Sequence, residues 1–274
     1  MILFNILIGL ALAIIVVLPL IWIKHKVARL IVIVIAIGGG VITTQLSEIY
    51  LYPRYVGWQF ERENLKQPLF SLIAQYHPKE YQAFIEEVKK GIRKGEDINI
   101  ISSYSSSLLN QIFYQHLQNA PDEAIFIYLK ATLDLYRYLY SVDPRAVVKL
   151  ENGDSSIPVN LTLLWQDQTF KVLLNHLLEA KGLVIQAAIK NPVNPPQAEQ
   201  AIKLLDGILD SLSTKFGAPM VRMVFIPSEV RLPAVMVAPL LLDFYVNLIT
   251  AGKENAGIIM RYIAANKEKS KVKK

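Results

Sequence analysis

Apolar and charged positions divide this chain into two regimes. From Ile2 to Ile23 there are 22 residues without a charge, and after Lys24, His25, Lys26 and Arg29 a second uncharged run extends from Leu30 to Ser47. At about 1.5 Å rise per residue, a helix of some 20 residues crosses the ~30 Å hydrocarbon core of a bilayer. The pair predicts a transmembrane helical hairpin, with spans at about 2–23 and 30–47. The first run starts without side-chain charge and lacks a small-residue cleavage pattern near Pro19–Trp22, so an uncleaved anchor is expected rather than a signal peptide.

Beyond Gln67 the pattern becomes amphipathic, cut by proline and glycine. Between Pro78 and Lys94, Tyr81, Phe84, Ile85, Val88 and Ile92 recur at helical spacing, charged residues fill the other face, and Gly95 ends the run. A polar, serine-rich helix is expected from Ile98 to Asn119. The run from Ala124 to Tyr140 is apolar or aromatic on nearly all sides, which marks it as the central helix of a domain. Turn residues crowd Leu150 to Asn160, a predicted loop and a candidate division of the domain into two halves. A long helix follows from Leu161 to Lys190, and another places Ala198, Ile202, Leu205, Ile208, Leu209, Leu212 and Phe216 on one face before Gly217. Joined by the proline-stiff Asn191–Pro196, these two read as an antiparallel pair. The apolar stretch Leu232 to Ala251 is long enough to span a membrane. Pro233, Pro239, Asp243 and Asn247 oppose insertion, so a buried helix is expected there.

The predicted architecture is all-α: a two-helix transmembrane hairpin (1–47), an interfacial aromatic segment (48–66), a membrane-proximal domain of about eight helices (67–266) and a basic tail (267–274). In the aromatic segment, Tyr50, Tyr52, Tyr55, Trp58 and Phe60 match the rings that gather at headgroup depth. Within the hairpin, Gly9 and Ala13 form a small-residue spacing, Gly38, Gly39 and Gly40 give the second span a surface without side chains, and Ala13 and Gly39 lie at about the same depth, so the two backbones can approach closely.

Charge changes this picture in two ways. The net charge of +6 resides in the hairpin loop and the tail, whereas residues 46–266 hold 21 basic against 22 acidic side chains. A nucleic-acid binder carries its positive charge on the folded body, so no nucleic-acid partner is expected. Three of the six loop residues are Lys or Arg and the N-terminus has none, which places the loop in the cytoplasm and the large domain outside. In a Gram-negative cell that is an inner-membrane protein with a periplasmic domain.

Candidate chemistry is sparse. Cysteine is absent, so disulfides and thiolate chemistry are excluded. Metalloprotease, nucleophile-elbow, phosphate-loop and dinucleotide motifs are missing, and neither the four histidines nor the Asp206–Asp210 pair forms a ligand or acid–base set by spacing. No catalytic, cofactor or metal residues are assigned. Tyr128, Asp134, Arg137 and His176 are the candidate pocket. The functional expectation is a non-enzymatic interaction or assembly module of the envelope, bound to lipid and to a protein partner or a second copy. Alternatives are a membrane-bound enzyme or handler of a hydrophobic ligand, and a three-span transport or pore accessory built on Asp243. A reporter active only in the periplasm, fused after Lys274, should be active; activity of a cytoplasm-only reporter would overturn the orientation.

Overall fold

The computed structural model describes residues 52–96, 98–152, 159, 164, 166–225 and 232–272, so the hairpin, with Gly9, Ala13 and Gly38–Gly40, lies outside the described residues. Among those described there are eleven α-helices and no strand: α1 Tyr52–Leu65, α2 Pro68–Tyr76, α3 Pro78–Lys94, α4 Ile98–Leu117, α5 Asp122–Val142, α6 Pro144–Asn152, α7 Gln168–Lys190, α8 Ala198–Phe216, α9 Ala218–Phe225, α10 Ala234–Thr250 and α11 Lys253–Val272. They form two compact units, one of Met1–Lys66 with Lys79–Tyr104, the other of Gln67–Pro78 with Ser105–Lys274.

In the first unit α1 packs on α3. Phe60 meets Phe84 with ring centroids 6.1 Å apart, and Lys89 pairs with Glu61 at 2.8 Å. Gly57 allows this approach, since a Cβ there would stand 3.0 Å from Lys89 Cγ. On α3, Tyr81, Phe84, Ile85 and Val88 are buried as the periodicity predicts, and Gly95, at φ 67°, ends the helix in the left-handed region.

The second unit is arranged around α5, on which α6, α7, α10 and α11 all pack. Nine of its side chains are buried, from Ala124 and Ile125 through Tyr128, Leu129, Thr132, Leu133, Leu135 and Tyr136 to Leu139. Yet it is not enclosed on all sides. Glu123, Ile127, Lys130, Asp134 and Arg137 recur every three or four residues as one solvent-facing stripe. The centrality of this helix is legible in its composition, and the charged residues Lys130, Asp134 and Arg137 that interrupt its apolar run lie on its exposed edge.

Two boundaries and one pairing also differ from expectation. Leu150, Glu151 and Asn152 belong to α6, not to a loop. The long helix begins at Gln168, where the Asp167 side chain caps it by accepting from the Phe170 N–H at 2.9 Å. Nor do α7 and α8 form a mutual pair in the core: α7 packs on α5 and α2, and α8 on α9, α10 and α11. The apolar face of α5 recruits α7 away from its neighbour in sequence.

By length and composition α7 is, among the described residues, the one helix able to cross a membrane. Here it is a packing helix, with Phe170, Leu177, Ala180, Val184, Ile185 and Ala188 buried. The 17-residue α10 buries Val237, Ala238, Leu240, Leu241, Phe244, Tyr245 and Leu248. Its polar residues meet α8: Asp243 pairs with Lys215, and Asn247 Oδ1 accepts from the Ser211 hydroxyl at 3.4 Å.

A clasp at the start of α5 joins it to α11. Arg261, buried, donates from Nη1 to the Ala120 carbonyl at 2.9 Å and to Asp122 Oδ1 at 2.5 Å. Gly257 lies directly beneath this pair, and a Cβ there would collide with the Asp122 carboxylate. Gly257→Ala must therefore displace this part-buried ion pair, and because Asp122 keeps some contact with water the cost is at most about 3 kcal/mol, the lower end for a fully buried pair. Denaturant unfolding of the Gly257→Ala protein should show a loss on that order; an unchanged midpoint would mean that the clasp contributes nothing.

Candidate functional site

The exposed stripe of α5 runs between two open grooves. The larger, about 490 Å³, lies between α5 and α7. Ala131 and Ala180 leave room in it, Ile127, Leu173 and Leu183 supply apolar walls, and Asp134, His176 and Glu179 add polar groups. Two small residues opposite each other on packed helices leave the hollow that bulkier side chains would fill. Ile127 and Leu183, each 39 % exposed, stand on the two sides of this one groove, so their apolar surfaces lie together. The smaller groove, about 310 Å³, lies between α5 and α10, lined by Lys130, Leu133, Asp134, Arg137, Val246, Ile249 and Thr250.

Of the four candidate pocket residues, Asp134 and His176 share the larger groove, and Asp134 and Arg137 the smaller. Tyr128 is in neither. Six residues at about 3.6 per turn set it some 120° around the helix from Asp134, and its side chain is buried against Phe113 at a centroid separation of 4.7 Å. A single pocket of all four is therefore corrected to two grooves sharing Asp134. Among the aromatic residues assigned to the membrane interface, Tyr50 lies outside the described residues and Tyr52 opens α1. Tyr55 and Trp58 are exposed, while Phe60 turns inward onto Phe84. Phe60 is half-buried and packs within the first unit. Asp206 and Asp210 are exposed on α8.

Tyr128 instead belongs to a buried polar cluster. Tyr136 donates to Glu151 Oε2 at 2.5 Å and Tyr245 to the same oxygen at 3.0 Å, so one carboxylate from α6 ties α5 to α10. The two tyrosine rings meet edge to face, 5.3 Å apart. Burial first, and then the nearby carboxylate, push both phenols well above their ordinary range, so they remain neutral donors. Burial raises Tyr114 and Tyr128 in the same direction. On α7, Lys181 reaches into this region, 5.1 Å from the Phe113 ring centroid and 3.4 Å from Asn110 Oδ1. Burial lowers its ammonium to about 8, opposed by the Glu151 charge.

A contact that spacing along the chain gives no sign of joins His77, which caps α2, to His116 in the last turn of α4. Their Nε2 atoms are 2.7 Å apart, and the rings meet edge to face at 4.9 Å. At that distance one nitrogen donates and the other accepts. Thirty-nine residues separate the two, so only the tertiary fold could reveal the pair. Among the described residues, no three His, Asp or Glu side chains converge to hold a metal ion. Compared with known proteins, the chain matches no protein family, no curated protein and no solved structure.

Burial, and then the facing His77, lower the His116 pKa below the usual 6.5. The unfolded chain therefore takes up this proton first on acidification. The stability contribution is complete above the unfolded value and is lost as pH falls through the folded one. Denaturation midpoints should drop as pH falls over the interval from the ordinary 6.5 of the unfolded imidazole through the lower folded value, and His116→Gln should flatten that drop. A wild-type midpoint that does not move over this interval would contradict the coupling.

Proposed function

We propose that this chain is a non-enzymatic interaction module of the cell envelope, anchored in a bacterial inner membrane by its N-terminal hairpin, with its helical domain in the periplasm. The observation that carries the interaction reading is the groove between α5 and α7, which leaves Ile127 and Leu183 in solvent above a floor of alanines. An open trough with apolar walls suits an amphipathic helix laid lengthwise, whose anchors recur at three- and four-residue spacing. Asp134 and Glu179 add negative charge, so the partner segment carries Lys or Arg beside its apolar face.

The second reading, a handler of hydrophobic ligands, would use the same trough, whose volume falls within the ~300–1,000 Å³ of small-molecule sites. It ranks below the first because such sites enclose most of their ligand, and this trough is open along its length.

A photo-crosslinking amino acid in place of Leu183, in the full-length protein in its native membrane, should yield a discrete adduct on an apolar helical segment flanked by basic residues. Ala131→Glu, which fills the trough, should abolish it. Adducts to lipid alone would favour the second reading. No adduct at Leu183 or Ile127, with the fold intact, would remove the trough from the account.

A further inference from the structure

Helix α1 carries a second exposed surface, of different chemistry. Taking about 100° per residue, Arg54, Leu65, Trp58, Arg62 and Tyr55 fall within a single arc of some 100°. Trp58 is 53 % exposed, Tyr55 44 % and Leu65 43 %. Gly57, Phe60 and Asn64 occupy the opposing side, where Phe60 reaches Phe84. The helix therefore presents one face to α3 and another to solvent. Tyr55 and Trp58 lie 6.3 Å apart, and the Arg62 guanidinium sits 5.4 Å over the Trp58 ring.

We propose that this face of α1 rests on an anionic lipid surface, with the Tyr55, Trp58 and Leu65 side chains at headgroup depth and Arg54 and Arg62 on lipid phosphates. Two observations select this occupant. The N-terminal stretch outside the described residues ends at Leu51, immediately before α1, and its two long uncharged runs place α1 within a few residues of the bilayer, so the inference rests on the anchor reading. The composition is also that of an interfacial helix: indole and phenol rings are amphipathic at headgroup depth, and arginine carries an apolar stem beneath a charge that pairs with phosphate. Exposed tryptophan beside exposed leucine is costly in water and favourable there. The helix would then lie in the membrane plane, with α3 on its far side within the same unit.

Trp22, Trp58 and Trp165 are the three tryptophans of the chain, so single-tryptophan proteins are made by replacing the other two with Phe. Each full-length protein is reconstituted into vesicles containing phosphatidylglycerol and lipids brominated either near the headgroup or near the bilayer centre. Trp58 fluorescence should be quenched most by the shallow bromines and shielded from aqueous acrylamide. Moving the probe about 140° around the helix, by Trp58→Phe with Glu63→Trp, should cut the shallow quenching and restore acrylamide access. Replacing phosphatidylglycerol with a zwitterionic lipid should weaken the Trp58 quenching. Quenching of Trp22 with none of Trp58 would overturn the proposal and leave the anchor standing. Equal quenching at positions 58 and 63 would also overturn it, since proximity to the bilayer without a chosen face gives that result. If neither Trp22 nor Trp58 is quenched, the anchor reading itself fails.

Discussion

The second unit depends on the enclosure of α5. A helix with nine buried side chains has far too much apolar surface to stand alone, since each large side chain returned to water costs about 1.5–3 kcal/mol. Its neighbours α6, α7, α10 and α11 are arranged as that requirement dictates, and the stripe from Glu123 to Arg137 is what remains uncovered. The grooves beside the stripe follow from the same geometry. Round helices packed around a central one leave troughs between them, and alanine at 131 and 180 keeps one trough open.

Apolar packing of this kind is tolerant of rotation and slippage, so polar ties must set the register. Glu151 accepts two phenols, one from α5 and one from α10, and Arg261 spans from α11 to the first turn of α5. Each tie satisfies a buried polar group only in one alignment of its helices, because a displaced partner would leave that group desolvated and unmatched. Lys181 shows the opposite case, an ammonium held beside a ring and an amide oxygen, whose charge is disfavoured there.

Much of the helical content is legible in residue periodicity. The face of α3, the stop at Gly95 and the centrality of α5 all follow from local spacing, because they depend on neighbours one turn away. What escaped depends on the fold. The α6 helix continues to Asn152, at the edge of a stretch whose later residues favour turns, and its Glu151 is held by two phenols, one of them 94 residues away in sequence. Likewise His77 and His116 gave no signal, as neither has a partner at helical spacing. The grouping of Tyr128 with Asp134 is a different failure. Their angular separation is readable from the sequence, and attention to helical phase would have assigned one to the core and the other to the surface.

The clasp between Arg261 and Asp122 also bears on the order of events during synthesis. These residues are 139 apart, and among the described residues α11 is the last helix to be synthesised. While the ribosome is still adding residues beyond 250, α5 is already complete but lacks one wall, and the Asp122 carboxylate has no counter-charge. Long-range closure of this kind is slow, and uncovered apolar surface in the interval invites misassociation. The second unit therefore closes around α5 only once α11 has been made.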